Sequence, residues 1–408
     1  MMNKPFSLYI HIPFCKSKCP YCDFYSARPE EDDIFDRYLA ALCARLAVYG
    51  EKYGERLLHT VYFGGGTPSV FGAKRLCRVL EKVKEQFNVA ENAEITTECN
   101  PADVDVSFFE TLKRGGFNRI SMGMQSANEA ELKILGRRHT AETVREAVEA
   151  AREASIDNVS VDLMLGLPNS NLETLKSSID FCAALEADHV SAYILKIEPG
   201  TPFAKQELNL PDEDGTADQY LFAVNELKKR GYDQYEISNF ARPGKESRHN
   251  LQYWRCGEYL GLGPAAHSFM EGRRFYFPRD LEGFLNGNAP ADDGAGGGFS
   301  EFAMLSLRLT EGLQRKICET RFENGGALFD GVLEGCKHLP KNLIHADYER
   351  ISLTAEGFLV SNAILAEFCR DKENSPLAVE PRENFFYAYL LFFSLKIKRK
   401  IRRTSGPQ

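Results

Sequence analysis

Cys15-Lys-Ser-Lys-Cys19-Pro-Tyr-Cys22 puts three thiols on one short stretch, with gaps of three and two residues. Thiolates are soft ligands that suit zinc or iron–sulfur clusters. Gaps this short let one loop wrap three sulfurs around one side of a cubane cluster. Three irons are then held and the fourth has no protein ligand, which is the open coordination position a chemically active metal needs. Zinc is the alternative, with His11 as a fourth ligand. Against it, His11 precedes the loop on a strand, and Cys-x3-Cys-x2-Cys is not the pair-plus-pair spacing of structural zinc sites. Of the eleven cysteines, Cys43, Cys77, Cys182, Cys318, Cys336 and Cys369 stand singly. They read as buried thiols of a reducing compartment rather than a disulfide framework.

Other residues able to do chemistry close short β-type runs. Gly64-Gly65-Gly66-Thr67-Pro68 follows a run ending at Phe63, and its glycines let backbone amides approach a ligand closely. Glu98 ends another run, and its carboxylate suits ribose hydroxyls or an amino group. Gln125 ends Ser-Met-Gly-Met-Gln, Arg137 sits in Leu-Gly-Arg-Arg-His, and Asp162 lies in Val-Asp-Leu-Met-Leu-Gly-Leu-Pro. Each alone would pass as an ordinary polar residue; together they fall where barrel active sites form, at strand C-termini.

The elements that must position them repeat. Strand candidates are Leu8–Ile12, Thr60–Phe63, Glu94–Glu98, Arg119–Met122, Val159–Leu163 and His189–Ile194. Helix-period stretches lie between, one with Leu39, Leu42, Cys43 and Leu46 on one face and another with Val144, Ala147, Val148 and Ala151. Strand followed by helix, repeated, predicts an α/β fold with a parallel sheet. The spacing suits barrel-type β/α repeats, with an open doubly wound sheet as the competitor. Tyr232–Ile237 is a further strand candidate, 286–300 has the composition of a linker, Glu301–Leu313 reads as a helix, and Arg350–Phe368 alternates short strand and helix signals.

The ends and the charge bound the rest. The opening MMNKPFSLYIHIPF lacks the long apolar run of a secretory signal, so a cytoplasmic location is expected. The net charge of -8 offers no basic field for nucleic acid. Phe385–Leu395 is nearly uncharged and aromatic-rich, and six basic residues follow in Lys396–Arg403. It falls short of the about 20 apolar residues of a spanning helix, which leaves a packed C-terminal helix, a frayed tail, or weak contact with an anionic membrane surface.

The run Tyr9-Ile-His-Ile-Pro-Phe-Cys15, with Cys19 and Tyr21-Cys22-Asp23-Phe24, resembles the radical SAM superfamily, in its coproporphyrinogen-oxidase-like branch, over roughly residues 5–370. The resemblance implies a partial (β/α)6 barrel of radical SAM type with a smaller C-terminal α+β domain. Its divisions would be 1–240 for the barrel, 241–299 for a connecting segment, 300–370 for the second domain and 371–408 for a hydrophobic and basic tail. It implies a 4Fe–4S cluster on Cys15, Cys19 and Cys22. It implies S-adenosylmethionine (SAM) against Tyr9, Gly65, Gly66, Thr67, Glu98, Gln125, Arg137 and Asp162, the glycine run taking the methionine part. The chemistry implied is reductive: an electron passes to the sulfonium and a 5′-deoxyadenosyl radical forms, while the protein orients SAM and excludes water and oxygen.

Within that branch the coproporphyrinogen oxidases carry a further cysteine two residues after the third, where this sequence has Phe24. The haem-chaperone (HemW-type) group fits instead. Its likeness rests on Tyr235-Glu-Ile-Ser-Asn-Phe-Ala241, His249-Asn250-Leu-Gln-Tyr253-Trp254, Gly261-Leu-Gly-Pro-Ala-Ala-His267-Ser and Met304-Leu-Ser-Leu-Arg308-Leu. This resemblance implies haem as ligand, haem-requiring proteins as recipients, and a homodimer among the possible states. His249 is the candidate haem ligand, with His267 and Cys256 as rivals, since imidazole ligates haem iron and aromatics suit a porphyrin face; the alternative is that His249 and Trp254 merely pack the junction of barrel and second domain. The alternatives are an oxygen-independent coproporphyrinogen oxidase and a haem-modifying radical enzyme.

Overall fold

The computed structural model describes residues 4–30 and 33–368. The expected C-terminal tail, 371–408, lies outside the described residues. Two compact units divide the chain: one comprises residues up to Asp233 with Ser238–Gln252 and Gly257–Gly294, the other Gln234–Ile237, Tyr253–Cys256 and the residues from Ala295. The stretch 241–299 is therefore shared between them, with Tyr253–Cys256 in the second unit.

In the first unit six strands follow the chain in order across the sheet: β1 (Phe6–Ile12), β2 (Leu57–Gly65), β3 (Asn88–Cys99), β4 (Arg119–Gln125), β5 (Asn158–Leu165) and β6 (His189–Ile194). Every neighbouring pair among them is parallel. All six contain the run expected from sequence. β1 and β4 are buried at all but one position each, as strands covered on both faces must be. Helices Ile34–Tyr53, Ala73–Gln86, Val106–Gly115, Ala141–Glu153 and Leu172–Ala184 make the crossovers. The second of these buries Ala73, Leu76, Val79, Leu80 and Val83, an apolar stripe at helical spacing. Caps mark their starts: Asp105 accepts from Phe108 N–H, and Thr140 and Asn171 each close a capping box.

Among the described residues no strand pairing joins the two ends of the sheet. β6 takes the short antiparallel strand Asn239–Ala241 on its free edge, and β1 takes Tyr259–Leu262 in parallel, followed by the hairpin His267–Met270 and Arg273–Tyr276. This is a partial barrel with six β/α units. The strand expected over 232–237 is reduced to Asp233–Gln234.

The second unit holds helices around a three-stranded sheet of Leu313–Gln314, Arg350–Leu353 and Ile344–Ala346, all antiparallel. The helix expected over 301–313 runs Phe299–Ser306 and stops there. The reason lies in the backbone beyond it: Ile237 N–H donates to Arg308 O at 3.0 Å and Thr310 N–H to Tyr235 O at 3.1 Å, so the chain turns at 307–308 and pairs Leu309 with Glu236 in an isolated antiparallel bridge instead of continuing the helix. The expected linker at 286–300 contains the strand Ala291–Ala295. Arg315 stacks over Phe329 and Tyr348 and pairs with Asp330, tying helix to loop.

Candidate functional site

The cysteine loop leaves β1 through Pro13 and Phe14 and returns at Ala27. Cys15 N–H donates to Ala27 O at 3.1 Å and Ala27 N–H to Pro13 O at 2.7 Å, which pins the stem. Phe14 is fully buried and packs edge-on against Phe35 and Tyr38. A turn closes inside the loop, Cys22 N–H to Cys19 O at 3.1 Å. The three thiols are unbridged, partly buried, and line one cleft.

That cleft, of about 970 Å³ with its open mouth, collects the strand-end residues. Gly65, Gly66, Thr67, Glu98, Gln125, Arg137 and Asp162 all line it with Cys15, Cys19 and Cys22. Thr67 Oγ1 lies 3.3 Å from Cys15 Sγ. Arg137 holds its place by donating to Gly123 O at 2.6 Å and turns its other terminal nitrogen to Cys19 Sγ at 3.6 Å. Its Nε–H is buried with no protein acceptor. The glycines have packing duties as well. Gly65 stands at φ 110°, and a Cβ there would lie 2.4 Å from the His11 ring; one on Gly66 would lie 2.8 Å from Ile12 O and Phe14 N.

The acids sit deeper. Glu98 accepts from Tyr62 Oη at 2.9 Å and from Gly65 N–H at 3.2 Å. Burial, with Asp162 nearby, pushes its carboxyl up to about 7. Asp162 accepts from Ser121 Oγ at 3.4 Å, and burial raises it to about 6. Burial, with the Cys19 and Cys15 thiols beside it, pushes Cys22 up to about 11; metal ligation would replace that proton.

Tyr9 is the expected contact that does not line the cleft. Its hydroxyl lies 3.0 Å from His11 Nδ1 and its ring stacks on Tyr62, one layer below. His11 in turn places Nε2 2.9 Å from Tyr25 O. Both imidazole nitrogens are thus occupied within the fold, and burial holds the ring down near 4. The zinc alternative with His11 as fourth ligand does not fit this arrangement.

Sequence reasoning passed over Ser121, Gly123 and Tyr193, which also line the cleft. The first two share the β4 face of Gln125, four and two residues away, so strand alternation carried the signal. Tyr193 had none, because only the β5–β6 register, Met164 opposite Tyr193, brings it beside β4 residues.

His249 is 1% exposed on the helix Arg248–Trp254. Its Nδ1 lies 2.8 Å from Thr60 Oγ1, its ring stacks on Tyr62 at 5.0 Å, and burial holds it down near 3. It is set in the core and absent from the cleft wall, so the expectation of a haem bond there gains nothing from the fold. Cys256 is also buried, in the second unit, whereas His267 is partly exposed and stacked on Tyr276 at 5.1 Å.

The donor set fits a cubane cluster with SAM. The three thiols, two hydrogen-bonded acids and Arg137, whose Nε–H has no protein acceptor, line one cleft, partners for a ligand bearing carboxylate, ammonium and ribose hydroxyls. Among the described residues no three His, Cys, Asp or Glu side chains converge on a single ion; the thiolates of a cubane bind separate irons.

Comparison with known proteins agrees in kind. The Radical SAM superfamily model matches residues 9–182. The chain is 36% identical over 381 residues to the heme chaperone HemW of Mycobacterium tuberculosis, covering 90% of this chain and 95% of that one. It is 36% identical to HemW of Escherichia coli, covering 89% and 98%, and 34% identical to HemW of Lactococcus lactis, covering 92% and 100%. Among solved structures, the coproporphyrinogen III oxidase HemN of Escherichia coli superposes with a TM-score of 0.79 at 24% identity, over 90% of each chain.

Proposed function

The chain belongs to the HemW haem-chaperone family of the radical SAM superfamily, and on that premise we propose that it binds haem and delivers it to haem-requiring proteins. The observation that carries this reading is the end-to-end likeness to curated chaperones, across both units of the chain. Phe24 supports the choice of branch: it is 69% exposed at the cleft wall, where the oxidase pattern has a further thiol.

The cofactors are a 4Fe–4S cluster and SAM. Cys15, Cys19 and Cys22 would hold the cluster, with Thr67 beside the first thiol and Arg137 beside the second. When bound, the cluster supplies an open iron position and an electron to the sulfonium ligand. The protein's part is orientation. Gly65 and Gly66 present a wall without side chains, Glu98 and Asp162 offer acceptors to hydroxyl or ammonium groups, and Gln125 offers an amide. Tyr9 contributes from the layer beneath, by fixing His11 and stacking on Tyr62.

Haem-requiring proteins of the cytoplasm are the proposed recipients; unbridged thiols suit a reducing compartment. Among the described residues no helix is long and apolar enough to cross a membrane. Self-association and a weak membrane contact of the 385–403 stretch belong to the same proposal. Sedimentation analysis, and vesicle binding by the full chain against one truncated at Glu383, test them.

The main test is one anaerobic preparation. Haem titrated into the reconstituted protein should give a Soret shift that saturates near one haem per chain, and the loaded protein should restore activity to a haem-free apo-enzyme. Coproporphyrinogen supplied with SAM and reductant should remain unchanged. Decarboxylation without haem binding would replace the chaperone reading with the oxidase one.

A further inference from the structure

Asp103 closes the short turn Pro101–Asp103 directly after β3. The turn is rigid: Asn100 Oδ1 accepts from Ala102 N–H at 3.1 Å, Asp103 N–H donates to Asn100 O at 3.0 Å, and Asn100 N–H donates to Ser69 Oγ at 3.1 Å. The Asp103 side chain is 1% exposed. A buried carboxylate needs partners, and each oxygen has one. Oδ1 takes Lys16 Nζ at 2.7 Å, and Oδ2 takes Arg138 Nη2 at 2.6 Å.

Those partners flank the thiols on both sides. Lys16 follows Cys15 in the loop, and Arg138 follows Arg137, whose guanidinium faces Cys19 Sγ. The two ties reach 87 and 35 residues along the chain. An exposed ion pair such as Arg78 with Glu81 joins neighbours on one helix and contributes little. Asp103 instead joins three segments: the end of β3, the cysteine loop and the stretch after β4 that carries Arg137.

The geometry points to Asp103 as a positioning residue for the cluster: acting through Lys16 and Arg138, it sets the gap between the cysteine loop and the Arg137 segment. This rests on the reading of Cys15, Cys19 and Cys22 as cluster ligands. Groups that orient metal ligands from behind commonly carry about 10- to 100-fold of metal affinity. Removing the carboxylate also takes a negative charge from beside the loop and leaves two cations there, which favours the reduced cluster.

The experiment compares Asp103→Asn and Asp103→Glu with the wild type, each reconstituted anaerobically in the full chain. Three quantities are read: iron retained against a chelator, the midpoint potential, and the electron paramagnetic resonance of the reduced cluster with and without SAM. Asp103→Asn should lose iron about 10-fold faster, shift its potential positive and alter the SAM-dependent signal, with Asp103→Glu recovering part of each. If Asp103→Asn does not fold, Lys16→Met and Arg138→Met, at partly exposed side chains, each remove one tie and should show part of the iron loss and of the altered SAM-dependent signal, with the potential shifting negative instead because each takes a cation from beside the loop. An iron-loaded wild type with variants that match it in all three readings overturns the inference alone. A wild type that takes up no iron overturns the cluster reading and this inference with it.

Discussion

The Tyr193 hydroxyl donates a 2.7 Å hydrogen bond to Oε1 of Gln125, joining the ends of β6 and β4 across the cleft. Gln125 has a left-handed backbone, at φ 71°, and is largely buried at the cleft wall, so its amide is aimed by constraint rather than by chance. The bond uses the amide oxygen and leaves the nitrogen to face a ligand. Tyr193→Phe should therefore keep its cluster and lose SAM affinity about 5- to 10-fold, the worth of one hydrogen bond. Calorimetric titration of SAM into reconstituted protein measures this; unchanged affinity would show that Gln125 is not a contact.

The buried acids give stability a pH signature. Glu98, raised from 4.5 to about 7, and Asp162, raised from 3.8 to about 6, hold protons more tightly folded than unfolded. Between those values the native chain carries more protons than the unfolded one, so stability falls as pH rises. The buried imidazoles work the other way. His11 and His139 are held down near 4 and His249 near 3, so they cost stability as pH falls below 6.5. A Glu98→Gln comparison cancels the histidines. Relative to wild type, Glu98→Gln should gain on the order of 1–3 kcal/mol between pH 5 and pH 8, read from urea unfolding of the metal-free chain. A constant offset across that range would refute the assignment to Glu98.

The thiols separate by position. Alanine at Cys15, Cys19 or Cys22 should abolish the broad blue-region absorbance of the iron–sulfur cluster and the acid-labile sulfide with it. Alanine at Cys43 or Cys77, single thiols outside the cleft, should leave both at wild-type level. Zinc in place of iron in the anaerobic wild type would overturn the cluster assignment.

His249 behaves as a core residue in this fold. Its replacement by alanine removes the Thr60 bond and the stacking on Tyr62, and should cost about 2–4 kcal/mol in denaturant unfolding. The Soret maximum of the haem complex should stay where it is in the wild type. A displaced maximum with stability intact would make His249 the iron ligand after all.

Three cysteines on one short loop, six strand runs with helical stretches between them, and polar residues closing those runs were legible along the chain, because ligand spacing and hydrophobic periodicity are local properties. They determined the metal chemistry and the β/α repeat. Depth was decided elsewhere. Tyr9 and His249 look like site residues in the sequence, but strand packing puts one below the cleft and the other in the core. Tyr193 and Asp103 carry no motif, and only register and a rigid turn bring them to the cleft and its flanking loops. The helix expected over 301–313 ended early because residues 235–237 claimed its backbone hydrogen bonds. A chain displays which residues can do chemistry; which of them face the same space follows from long-range hydrogen bonding and burial, and neither exists until the sheet has formed.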